Sequence, residues 1–115
     1  MVDMRQHLDK RRSLMPRDYF DRPEMFGLDD MRASLPQGGD NISRAVADLQ
    51  HRLVLEWRRR DRAISAAELC QAFGFSKQVL SRVTLGQRWA GETVFVALHY
   101  AASGMRAARA TTAQR

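Results

Sequence analysis

Cysteine is almost missing from this 115-residue chain. Cys70 is the sole thiol, so no disulfide can form within it. Long apolar runs are missing too, and nothing approaches the roughly 20 consecutive apolar residues that a bilayer-spanning helix needs. The stretch from Met1 to Arg12 is charged throughout and lacks the apolar centre of a secretion signal. These absences predict a cytoplasmic protein with no membrane partner. Enzymatic and metal chemistry lack their raw material as well. His7, His51 and His99 lie far apart in sequence, and none belongs to a zinc spacing, a nucleophile elbow or a phosphate-cradling glycine loop. Asp29 and Asp30 are adjacent carboxylates in a proline-flanked segment, a setting typical of solvent-facing or capping groups. The expectation is therefore no catalytic residue, no cofactor and no metal. Cys70 itself reads as a small core filler rather than a redox switch. No repeat with a period of roughly 20 to 50 residues is present, which sets repeat architectures aside.

Acidic residues are scarce in one part of the chain only. Residues 1–40 carry 7 basic and 8 acidic side chains, whereas residues 41–115 carry 12 basic and 5 acidic ones, within a formal net charge of +6. Such a surplus attracts phosphate backbones and supplies sequence-independent affinity that weakens with salt. RNA and anionic membranes would feel the same attraction, so charge by itself does not choose the partner.

The stretch Ile64 to Gly86 makes that choice sharper. Ser65 can cap a helix whose Glu68 reaches back to the Ser65 amide as a capping box. Leu69, Ala72 and Phe73 follow as an inward face, and Gly74 sits where a helix ends in the left-handed conformation. Phe75 is an apolar plug in the turn. Ser76 then caps a second helix, over about 77–85, whose Val79, Leu80 and Val83 face back and whose stop is Gly86. Its outward face holds Lys77, Gln78, Ser81 and Arg82, a set able to donate and accept hydrogen bonds at base edges.

Around this motif the chain divides into three parts. Residues 1–40, with Pro16, Pro23, Pro36 and a Gly38-Gly39 pair, form an extension of short helices and loops. Their apolar residues, among them Tyr19, Phe20 and Phe26, are too many for a solvated tail and predict docking on the domain itself, a second subunit or another protein. Arg11-Arg12 offers an alternative use as a minor-groove arm. Residues 41–104 form the domain. Asp40 or Asn41 caps a long helix to about Arg60, with Ile42, Val46, Leu49, Leu53 and Trp57 as its inward stripe. Arg58-Arg59-Arg60, with Arg62 beyond, suits either a helix C-terminus or phosphate contact. A last helix runs from about Glu92 to a stop at Gly104, and its Phe95, Leu98 and Tyr100 are a candidate dimer interface. Trp57 reads as core; Trp89, beside Arg88, suits core, sugar-phosphate or partner. Residues 105–115 form a basic flexible tail with nothing that demands burial.

The segment Ile64 to Gly86 resembles the helix-turn-helix of Cro/CI-type, or XRE-like, phage repressors and bacterial regulators, and the resemblance extends over roughly residues 42–102. Leu69, Gly74, Leu80 and Gly86 fall where that family has its core leucine, turn glycine, inward aliphatic and closing glycine. The resemblance implies an all-α, compact bundle of four to five helices that binds a two-fold related operator as a homodimer. Carried over by position, Lys77, Gln78 and Arg82 match the family's base-contacting sites and Ser65, Gln87 and Arg88 match sites that often touch the DNA backbone; Ser81, on the same outward face, is expected to join the base contacts and Ser76 the backbone contacts. The chain departs from the family pattern at Ala66, where a glutamine is common, at Trp89-Ala90, and in its long extension. The resulting expectation is a sequence-specific regulator of transcription that binds double-stranded DNA, acting as a repressor. An alternative expectation is a protein-interaction module, an antitoxin or phage-encoded inhibitor, that uses the helix-turn-helix as scaffold and residues 1–40 to hold a protein partner.

Overall fold

A computed structural model describes residues 14–60 and 63–103. The Arg11-Arg12 pair, Arg62, Gly104 and the tail 105–115 lie outside the described residues. Within them the fold is all-α, with four α-helices, two short 3₁₀-helices and no strand. The helices are α1 (Asn41–Arg59), α2 (Ala66–Phe73), α3 (Lys77–Thr84) and α4 (Glu92–Ala102), and the 3₁₀-helices are Pro16–Tyr19 and Pro23–Met25. The helical starts follow local chemistry. The Asp40 carboxylate accepts the Ser43 amide at 2.7 Å, which caps α1. Each 3₁₀-helix opens on a proline, whose fixed φ and missing N–H suit that position.

The main core lies where α1, α2, α3 and α4 converge. Val54, Trp57, Ile64, Leu69, Cys70, Leu80, Val83, Val94, Ala97, Leu98 and Ala101 are all buried in it. The Trp57 indole also donates to the Ile64 carbonyl at 2.9 Å, tying the end of α1 to the strap before α2. A second, smaller core is built by the extension. Tyr19, Phe20 and Phe26 are buried together with Ala47 of α1, and Phe20 and Phe26 meet edge to face with ring centres 5.4 Å apart. The three aromatic side chains of the extension are thus enclosed by their own chain.

The stripe on α1 is not the one that hydrophobic spacing predicts. Ile42 and Leu49 are 69% and 43% exposed, and Val46 and Leu53 are only half-buried. The inward face is instead Ser43, Ala47, Gln50, His51, Val54 and Trp57. Two polar side chains lie at its centre: the Gln50 amide is fully partnered there, and His51 is bonded at one ring nitrogen. Gln50 bonds the segment after α3, and His51 accepts the Gly27 amide at 2.8 Å from the extension. A satisfied polar group loses little on burial, so partners override apolar pattern.

Smaller corrections are of the same kind. In α2 Ala72 is exposed and Cys70 takes its place in the core beside Leu69. In α4 Val94 and Leu98 are buried, whereas Phe95 and Tyr100 are half-buried and Tyr100 packs edge-on against Phe73. The arginine run has partners within the chain, although Arg59 and Arg60 stay exposed. Arg58 donates to the Gly27 carbonyl, Arg59 approaches Asp30, and Arg60 holds both Glu56 and the Ala102 carbonyl at the end of α4.

Candidate nucleic-acid interface

Two eight-residue helices, α2 and α3, are joined by Gly74, Phe75 and Ser76. At the start of α2 the Ser65 hydroxyl accepts the Glu68 amide at 3.1 Å, while the Glu68 carboxylate accepts the Ser65 amide at 2.9 Å. This capping box fixes the entry to the motif. Gly74 ends α2 with φ at +78°, which lets its amide and that of Phe75 both donate to the Cys70 carbonyl. Ser76 then caps α3 by accepting the Val79 amide at 3.1 Å.

Val79, Leu80 and Val83 turn α3 toward the core, with Val79 half-buried and the other two buried. The opposite face carries Lys77, Gln78, Ser81 and Arg82, all exposed. Lys77 with Ser81 and Gln78 with Arg82 are each four residues apart, so the side chains stand in two rows along one surface. Beyond the helix the Gly86 amide donates to the Val83 carbonyl at 3.1 Å and the Gln87 amide to the Arg82 carbonyl at 2.9 Å. That paired closure turns the chain sharply and leaves Gln87 and Arg88 exposed next to the face of α3.

Five of the eight residues singled out in the sequence line two depressions of the surface, and Gln78, Ser65 and Ser76 line neither. Arg82, Gln87 and Arg88 share one shallow depression with Trp89, Leu14 and Met15. Lys77 and Ser81 line a neighbouring groove with Trp57, Arg58 and Ala66. Ser65 and Ser76 are exposed, and both hydroxyls already accept a capping amide. Each keeps its own hydroxyl hydrogen as a donor.

Charge distribution distinguishes this surface from the rest. From Leu69 to Gly91 the chain has no acidic residue. Elsewhere Arg22, Arg52, Arg59 and Arg60 each approach a carboxylate, while Arg17, Arg32 and Arg44 form no ion pair among the described residues, so the shortage of acidic residues is what sets this surface apart. Among the described residues Lys77, Arg82 and Arg88 form no ion pair. Burial pushes the Cys70 thiol above its ordinary range, with the Lys77 charge opposing this more weakly. A thiol in that state is a poor nucleophile. No cluster of three or more potential metal ligands occurs, and no helix is long and apolar enough to cross a membrane, among the described residues.

Of two residues that support this surface, Gln50 is not singled out in the sequence, and Trp89 is open there between core, sugar-phosphate and partner. Gln50 reaches the segment after α3 from beneath, and Trp89 donates its indole N–H to the Leu14 carbonyl at 2.8 Å while packing edge-on against Tyr19. A signal for Gln50 does exist. Ala47 and Val54 stand three residues before and four after it, a helical spacing that marks an inward face. Compared with protein-family models, curated proteins and solved structures, the chain matches none of them.

Proposed function

We propose that this chain is a sequence-specific, double-stranded DNA-binding regulator of transcription that uses α3 as its reading helix. The observation that carries this reading is the exposed row of Lys77, Gln78, Ser81 and Arg82, continued by Gln87 and Arg88 on an acid-free stretch of chain. An α-helix with its side chains is about 10–12 Å across, a size that enters a major groove about 12 Å wide. There Lys77 and Arg82 can donate to guanine O6 and N7, and Gln78 can bond the adenine edge. Gln87 and Arg88, with the hydroxyls of Ser65 and Ser76, are suited to phosphates on either side. Binding as a homodimer to a two-fold related site, and repression by excluding polymerase, complete the proposal.

The partner-holding reading draws no support from Tyr19, Phe20 and Phe26, since all three are buried against α1. The test is selection of bound sequences from a random duplex pool, repeated with a K77A/R82A double variant. Enrichment of a two-fold related motif that disappears in the variant is the expected result. A pool left unenriched by the folded wild-type protein would overturn the proposal.

A further inference from the structure

The segment after α3 is gripped from the interior by one side chain. Gln50, fully buried in the middle of α1, donates from Nε2 to the Val83 carbonyl at 3.0 Å and to the Arg88 carbonyl at 3.1 Å. Its Oε1 accepts the Ala90 amide at 3.1 Å. One amide therefore joins the last turn of α3 to the backbone at both Arg88 and Ala90, and uses both of its amide hydrogens and its oxygen in doing so. No apolar residue could make that connection, and no shorter amide would span it from the same backbone position.

The outer side of the same segment is fastened too. The Arg17 amide donates to the Gly86 carbonyl at 3.0 Å, and Trp89 donates to Leu14. These two bonds hold residues on either side of Arg88, while Gln50 holds the Arg88 carbonyl itself. From this geometry we infer that Gln50 is a positioning residue for DNA binding: it fixes the Arg88 backbone relative to α3, so that the Arg88 side chain is presented to a phosphate while α3 lies in the groove. The inference rests on the DNA-binding reading above. It adds that the angle between base contact and backbone contact is set inside α1, at a residue that touches no DNA.

The test uses Gln50→Met, which keeps the side-chain volume and removes all three bonds, together with Arg88→Ala and the double variant in the full chain. Two readouts are needed. In the free protein, backbone amide relaxation is expected to show increased motion confined to Gln87–Ala90 in Q50M, while amides of α1 and α4 stay rigid. On a mixed-sequence DNA duplex titrated across a salt series, R88A is expected to lower the salt slope by about 0.9, the loss of one phosphate contact. Q50M is expected to give most of the same loss, and R88A is expected to add little further loss in the Q50M background. Lys77→Ala, by contrast, is expected to act independently of Q50M. Full additivity of Q50M and R88A would overturn the positioning role, as would unchanged relaxation at Gln87–Ala90. If Q50M fails to fold, Gln50→Leu supplies the same cycle, since it too removes both donors and the acceptor. A wild-type chain that binds no duplex would count against the DNA-binding reading, and the relaxation experiment would still decide whether Gln50 orders the segment.

Discussion

The Nδ1 atom of His51 lies 2.8 Å from the Gly27 amide nitrogen and accepts its hydrogen, deep between the rings of Phe20 and Phe26. An acceptor at Nδ1 requires the neutral ring, with the hydrogen on the other nitrogen. Burial lowers the pKa of this imidazole from its ordinary value, and the charges of Asp48 and Asp30 oppose that shift less strongly. The unfolded chain therefore binds the proton more readily than the folded one. The contribution of His51 to stability is complete above about pH 6.5 and is lost as the pH drops below it toward the lower folded-state value. Thermal unfolding over a pH series is expected to show this decline in the wild type and a shallower one in His51→Asn. Equal slopes for the two proteins between about pH 7 and pH 5 would show that another group is responsible.

Arg82 and Arg88 differ in what they are expected to read. Arg82→Ala is expected to lose about 1–3 kcal/mol at one base pair of a selected site and blur specificity there. Arg88→Ala is expected to weaken all sequences alike and flatten the salt dependence. Competition binding with selected and random duplexes separates the two, and identical effects from both variants would sink this division of roles.

Gly74 and Gly86 share a left-handed backbone, with φ at +78° and +74°, but not a neighbourhood. Nothing lies within 4 Å of a methyl group placed on Gly74, whereas one on Gly86 would stand 2.6 Å from Phe26 Cγ and 2.8 Å from Arg17 Cβ. Gly74→Ala is expected to cost about 1 kcal/mol from backbone strain alone. Gly86→Ala is expected to cost about 2–4 kcal/mol, because the extension must also move. Denaturant titration of both variants checks the difference.

Tyr19 is fully buried, and its hydroxyl has no partner among the described residues. Tyr19→Phe removes that buried oxygen and keeps the ring against Trp89. The variant is expected to be as stable as the wild type or up to about 1 kcal/mol more stable. A clear fall in melting temperature would mean that the hydroxyl is bonded.

The buried side of α1 can be tested by a matched pair. Leu49→Ala is expected to change stability by no more than about 0.5 kcal/mol and Val54→Ala to cost about 2 kcal/mol or more. The reverse order would restore the stripe of Ile42, Leu49 and Leu53 as the inward face.

That pair also marks where the sequence was readable. Ser65 with Glu68, Ser76, Gly74 and Gly86 announced the two short helices and their turn because caps and stops act between residues no more than about five apart. The outward side chains of α3 followed from those boundaries. The rotation of α1 did not, because it is decided by atoms far along the chain: Gln50 meets Val83 33 residues away, and His51 meets Gly27 24 residues away. Spacing of apolar residues is blind to a glutamine and a histidine whose bonding partners come from such distances. The docking of Tyr19, Phe20 and Phe26 on α1 was one of three open choices for the same reason.

The bond between Leu14 and Trp89 spans 75 residues, and Arg17 closes on Gly86. During synthesis the extension leaves the ribosome before α3, so its bonds to Gly86 and Trp89 form only after α3 and the turn beyond it exist. Until then Tyr19, Phe20 and Phe26 have only part of their shelter, and the nascent chain carries its most aromatic segment uncovered. The extension is thus a late-closing clasp, whose closure depends on α3 and its following turn having been made.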